Sequence, residues 1–226
     1  MILEPLTLSD DGTHGPHGLP APLLDELTAL YRSDPVFQRI SGDFPDPEDI
    51  RPDQVAASIR EELEHPAAEV LLAREGHRLL GVAITLAEHP DPDDPDPWIG
   101  LLMVHGQEQR TGYGRELAHL VEERLRADGH EGLRLAVLEN NPRALAFWTT
   151  LGYEVIDHRE DRRMHRPCAV LRKDLRGGAD RPGGAGGSAG AGGSAGADGS
   201  ADFGRRGGKG GSAGGSGRDG STGVRR

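Results

Sequence analysis

The stretch Gln109-Arg110-Thr111-Gly112-Tyr113-Gly114-Arg115 constrains this chain more than any other. Before it runs an apolar segment with Ile99, Leu101, Leu102, Met103 and Val104. After it, Tyr113, Leu117, Leu120, Val121 and Leu125 recur at helical spacing. The pattern predicts a strand, a glycine turn and an amphipathic helix. The first turn of a helix exposes unpaired N–H groups and partial positive charge, so acidic residues are favoured there. Arg110 and Arg115 stand there instead, opposed only by Glu116. Such crowding costs energy unless an anion lies between, and glycines let backbone approach that anion without a Cβ in the way. These residues alone allow two readings: a phosphate or pyrophosphate site, or a tight turn with its arginines in water.

Two commoner phosphate motifs are excluded. A dinucleotide fingerprint needs glycine three residues after Gly114, where Leu117 stands, and a P-loop needs Gly-Lys-Ser/Thr, which the chain lacks. What remains is Gln-x-x-Gly-x-Gly after an apolar strand. It resembles the acyl-CoA pyrophosphate loop of the GNAT superfamily of N-acetyltransferases. The segment Asn141-Pro142-Arg143-Ala144-Leu145-Ala146-Phe147-Trp148-Thr149-Thr150-Leu151-Gly152-Tyr153 is similar to the late motif of that family, Asn-x-x-Ala-x-x-aromatic-aromatic-x-x-x-Gly-aromatic. The two motifs occur in the family's order and at about its separation.

Periodicity and turn residues place the other elements. Ile2 to Leu8 reads as a first strand and Leu23 to Tyr31 as a short helix, while Ser33 to Pro52 reads as loop. Pro52 to His65 is a helix, with Pro52 in its first turn and Val55, Ile59 and Leu63 repeating. Glu69 to Arg74 and Arg78 to Ala87 form a hairpin about Glu75-Gly76-His77. Trp98 to Val104 is nearly all apolar, as expected of a strand buried on both faces. A helix from Gly112 to about Asp128 should connect it, by a right-handed crossover, to a parallel strand at Leu133 to Leu138. Asn141 followed by Pro142 starts a helix that Gly152 stops. Tyr153 to Asp157 and Cys168 to Leu171 read as the last strands, with a charged connection from His158 to Arg166.

This order matches an α/β (α+β) GNAT fold: a central mixed, twisted sheet of about six or seven strands flanked by about four helices. The resemblance implies an N-acetyltransferase that moves an acetyl group from acetyl-CoA to a primary amine of a small molecule or peptide by direct attack. The alternative is a non-catalytic acyl-CoA-binding regulatory module. By resemblance, Met103 and Val104 would offer backbone groups to the pantetheine arm. Gln109, Arg110, Thr111, Gly112, Tyr113, Gly114 and Arg115 would hold the pyrophosphate. Asn141 and Trp148 would lie near the arm, Asn141 also capping its helix. Many relatives carry a tyrosine acid where this chain has Trp148, which cannot release a proton at neutral pH. Glu88, at the end of the third strand, is the candidate base. His105 has the better intrinsic pKa but sits toward the pyrophosphate end. Phe37, Asp43 and Phe44 fall where relatives line the acceptor site, although packing and turn formation are the simpler account of any one of them. The family also allows a homodimer.

Charge and composition divide the chain in two. From Arg176 on lie most of the 34 glycines, with Phe203 and Val224 as the large apolar residues. Such a segment cannot offset its ordering entropy by burial, so residues 1–175 are expected to form the N-acetyltransferase domain and 176–226 a disordered Gly/Ala/Ser/Arg-rich tail.

The tail carries Arg176, Arg181, Arg205, Arg206, Lys209, Arg218, Arg225 and Arg226 against Asp180, Asp198, Asp202 and Asp219, so it is net basic. The whole chain has a formal charge of −11, which leaves the domain strongly acidic. That argues against nucleic acid as a partner and suits a cationic acceptor. Gly204-Arg205-Arg206-Gly207 is similar to RNA-associating segments but lacks their aromatics, and a solubilising extension is the simpler reading. Cys168 is the sole cysteine, so no intrachain disulfide forms. No signal peptide or membrane span is legible, and a cytoplasmic protein without a membrane partner is expected. No metal is expected either. His14 and His17 lack a third ligand nearby, and an EF-hand loop counted from Asp91 would put Asp96 and Leu102 where glycine and glutamate are required. The proline-aspartate run from His89 to Pro97 reads as a stiff acidic connection whose field could draw in cations.

Overall fold

The computed structural model describes residues 1–8, 18–89, 91, 94–161 and 164–176. The His14/His17 pair, part of the proline-aspartate run and the tail beyond Arg176 lie outside them. The elements in chain order are β1 (Ile2–Pro5), α1 (Ala21–Arg32), α2 (Pro35–Ser41), α3 (Pro52–Leu63), β2 (Ala68–Glu75), β3 (Arg78–Leu86), β4 (Trp98–Val104), α4 (Tyr113–Ala127), β5 (Gly132–Leu138), α5 (Pro142–Thr150), β6 (Glu154–Glu160) and β7 (Pro167–Asp174). A 3-10 turn, Gly106–Glu108, comes directly after β4. Among the described residues no helix is long and apolar enough to cross a membrane.

The strands form one mixed sheet in the order β1-β2-β3-β4-β5-β7-β6, in which β4 and β5 are parallel and the other neighbours antiparallel. Helices cover both faces. Leu117, Val121 and Leu125 of α4 and Phe147 and Trp148 of α5 pack on Ile99, Leu102, Val104, Leu135 and Val137. On the opposite face Leu27, Leu30, Val55 and Ile59 pack on Val82, Ile84, Leu101 and Met103. β4 is buried throughout, as its composition requires.

The first strand ends at Pro5 and not at Leu8, and the structure departs from the sequence expectation in further places. The segment Ser33 to Pro52 is not all loop, because it holds α2. Asp34 accepts a hydrogen bond from the Phe37 N–H at 3.0 Å, Pro35 opens the helix, and Gly42 closes it at φ +68°. These are the same kinds of start and stop signal that Asn141, Pro142 and Gly152 give. The last two strands are also longer than expected, and β6 runs on to Glu160 through charged residues on an exposed edge.

Candidate active site

The site begins where β4 and β5 part. Their register holds for two pairs, Trp98 with Arg134 and Ile99 with Leu135, and then stops. At that level the β3–β4 register shifts between Ile84 and Thr85, which face Leu101 and Ile99, so Gly100 is the extra residue of a bulge. From Leu101 to Val104, β4 is laddered to β3 and not to β5. The His105 N–H donates to the Leu80 carbonyl at 2.8 Å. Antiparallel alternation therefore turns the backbone of Met103 and Leu101 toward β3, and that of Leu102 and Val104 toward β5. Of the two residues expected at this edge, Met103 and Val104, only Val104 lies on it. Leu102 replaces Met103, whose side chain packs beside Gln38 Nε2 at 3.8 Å.

The lower end of the pair is clamped. Asp96 Oδ2 accepts from Arg134 Nε and Arg172 Nε, each at 2.8 Å. Asp94 is hydrogen-bonded to Arg134 and lies 3.6 Å from Arg159 Nη2. The Trp98 ring stacks on His89 at 5.1 Å, with the Arg159 guanidinium 5.0 Å from its centre. Burial pushes the Asp96 carboxyl up, but Arg172 and Arg134 outweigh it and hold its pKa below the ordinary value. Asp94 and Asp96 are thus paired with arginines and fasten strands.

The glycine loop lies at the opposite, open end. Gly112 has φ +104° and free space where a Cβ would stand, so conformation is what requires glycine there. Arg110 also takes a positive φ, +67°. A Cβ on Gly114 would sit 3.5 Å from Phe147 and 3.9 Å from Val104, which places the start of α4 against α5 and the end of β4. Arg110, Thr111 and Arg115 are exposed to solvent. Thr111 Oγ1 donates to the Glu108 carbonyl at 2.5 Å, and Tyr113 donates to Glu75 at 3.0 Å. Gln109 turns inward, donating to Asp34 Oδ2 at 2.8 Å and to the Val104 carbonyl at 3.5 Å, and so ties the loop to the cap of α2. His105 accepts from the Gln107 N–H at 3.3 Å and caps the 3-10 turn. A cleft of about 450 Å³ continues from Gly112 past Arg115 and His119 to Thr150 and Lys173. Beneath it the buried Glu122 accepts from Lys173 at 2.6 Å.

Asn141 is buried and accepts from the Ala144 N–H at 3.1 Å, the expected cap of α5. Trp148 is fully buried, edge-on to Phe147 and Tyr153. Across the sheet, Phe37 and Phe44 belong to the core, and Asp43 is half-buried near Tyr31, whose pKa is raised by burial and by Glu62 and Asp43. Arg166 joins the β6–β7 connection to the end of α2 through the Ile40 and Ser41 carbonyls, at 3.0 and 2.7 Å. No local sequence signal announces this tie, which spans more than a hundred residues. Glu88 lies three residues past Thr85, which pairs with Ile99. It lies in the bend just past the end of β3, on the clamped side of the point where β4 and β5 part.

Residues 27–153 match the Acetyltransferase (GNAT) family. The chain belongs to that family. Its fold is similar to an acetyltransferase of Thermus thermophilus, at 18% identity and a TM-score of 0.55, over 77% of this chain and 97% of that one. It is similar to a ribosomal-protein alanine N-acetyltransferase of Escherichia coli, at 16% identity and a TM-score of 0.50, over 77% and 93%. It is also similar to an aminoglycoside 6′-acetyltransferase type Ii, at 16% identity and a TM-score of 0.52, over 80% and 100%. No curated protein matches the chain.

Proposed function

We propose that this protein is an acyl-CoA-dependent N-acetyltransferase that transfers an acetyl group to a primary amine. The observation that carries this reading is the parting of β4 from β5 below a glycine loop. An extended pantetheine arm would complete the sheet, pairing with the backbone of Leu102 and Val104 as an added strand does. The N–H groups of residues 110–114 would hold the pyrophosphate, and Arg115 and His119 line the cleft into which the nucleotide end would extend.

The amine must be neutral to attack. Glu88, just past the end of β3, is the candidate base, acting through water. The acceptor enters between α2 and the β6–β7 connection joined by Arg166. Proteins of this fold act on acceptors as unlike as a protein alanine and an aminoglycoside, so the acceptor of this chain is an amine of unassigned class.

Calorimetric titration with acetyl-CoA tests the reading. Micromolar binding that Gly112→Glu weakens roughly tenfold or more is expected, together with thiol release on an amine panel. A folded protein that binds no acyl-CoA would overturn it. Binding without turnover on any amine would favour a regulatory acyl-CoA-binding module. Glu88→Gln should lower the rate mainly at low pH, where less amine is free, and an unchanged pH–rate profile would remove Glu88 from the mechanism.

A further inference from the structure

Acetyl transfer needs a primary amine that is free to meet the thioester, and the chain carries one of its own. Lys173 and Lys209 are its two lysines. Lys173 is engaged: its Nζ donates to the buried Glu122 at 2.6 Å and lies 5.4 Å from the centre of the Tyr153 ring. It pairs with Leu133, below Leu135, where the β4–β5 register ends. The Met1 amine donates to Glu116 at 2.9 Å. Lys209 stands between Gly207-Gly208 and Gly210-Gly211, which place no side chain against its amine. The chain leaves the domain close to the parting point. Leu171 pairs with Leu135, and Leu175 follows about 13 Å further along the strand direction. Roughly thirty residues separate Arg176 from Lys209, and for a glycine-rich segment of that length the expected root-mean-square span is about 30 Å. Such a tether presents an attached group at an effective concentration on the order of millimolar. Charge favours the same encounter, because Arg205 and Arg206 precede Lys209 in a net basic segment and the domain is strongly acidic. The exposed Glu88 and Asp157 border the cluster of Leu86, Trp98 and Val170 beside the parting point: Glu88 closely follows Leu86, and Asp157 pairs with Val170.

Resting on the acyl-CoA reading, we infer that Lys209 is an acetyl acceptor for its own chain: the segment from Arg205 to Lys209 enters the acceptor side of the site, and the domain acetylates the Lys209 Nζ. A base acting through water takes one proton from the ammonium. Nζ then attacks the thioester carbonyl carbon and the new C–N bond forms. The C–S bond breaks and its electron pair passes to sulfur. The nitrogen loses a second proton to water, and the thiolate takes a proton from solvent. The products are coenzyme A and an N-acetyl-lysine. The acetamide carries no charge, so the acidic domain holds the modified segment less strongly and releases it.

Incubation of the full chain with acetyl-CoA, read by intact mass and peptide mapping, tests the inference. One acetyl group, about 42 Da, should appear on Lys209, with Lys173 and Met1 unmodified. The first-order rate should stay the same when the protein is diluted about tenfold, as transfer within one chain requires. Lys209→Arg should abolish the incorporation and leave acetyl-CoA affinity and transfer to added amines unchanged. Arg205→Glu together with Arg206→Glu should slow the transfer about fivefold at low salt and less at high salt. Transfer to added amines but not to Lys209, a rate that falls with dilution, or equal labelling of the Gly112→Glu chain would overturn this inference while leaving the acetyltransferase reading standing. Absence of acetyl-CoA binding to the wild-type chain, or binding without transfer to any amine, would overturn both.

Discussion

The two ends of the β4–β5 pair are built in opposite ways. At the lower end two residue pairs are in register, and Asp94 and Asp96 gather Arg134, Arg159 and Arg172 around them. At the upper end the backbone of Leu102 and Val104 is not laddered to β5, and Gly100 bends β4 away from it. A strand edge without a neighbouring strand is a template for pairing, so it invites either closure or a ligand. The clamp and the bulge set where closure stops. Strong pairing at one end thereby preserves an unpaired edge at the other.

Removing the clamp should have the largest effect. Asp96→Ala leaves Arg134 and Arg172 without their shared carboxylate and should cost about 3 kcal/mol in denaturant unfolding. A loss below about 1 kcal/mol would place these contacts with ordinary surface ion pairs. The effect should depend on pH. Because the folded-state pKa of Asp96 is depressed, its contribution is present above the unfolded value of about 3.9 and is lost as pH falls through the folded value. Asp96→Asn should flatten that part of the acid-unfolding curve.

The open end should separate stability from binding. Gly112→Ala forces a side chain into φ +104° and should cost about 1–2 kcal/mol along with acyl-CoA affinity. At Gly114 an added Cβ makes only ordinary contact with Phe147. Gly114→Ala should leave the melting temperature unchanged or slightly raised, yet weaken acyl-CoA binding by crowding the loop. Parallel losses of stability and affinity in both variants would mean that the two glycines serve conformation alone.

Much of this is legible in the chain because it is local. Caps, glycine stops and apolar periodicity locate β4, α4, β5 and α5, and the Gln109–Arg115 loop falls where its pattern places it. The α2 helix carries the same signals at Asp34, Pro35 and Gly42, but it is too short for periodicity to support them. The clamp is hidden because Asp96 meets Arg134 and Arg172 across 38 and 76 residues. Along the chain, those aspartates look like solvated charge. The exchange of Leu102 for Met103 is hidden for a related reason: which backbone faces the gap depends on pairing with β3, a tertiary property.

The smallest effect should come from deleting residues 177–226. The domain closes on itself at the end of β7. The Leu175 N–H donates to the Glu131 carbonyl at 2.8 Å, Arg126 Nε donates to the Leu175 carbonyl at 2.9 Å, and Leu175 is buried. The remainder of the chain offers Phe203 and Val224 as its large apolar residues, too little to add to the core. The deletion should therefore leave the melting temperature unchanged. It also removes net positive charge from an acidic protein, so affinity for anionic acyl-CoA should fall slightly at low salt and recover near physiological ionic strength, where the Debye length is about 8 Å. A loss of stability, or a loss of affinity that salt does not reduce, would move the domain boundary beyond Leu175 and make the distal segment part of the open end.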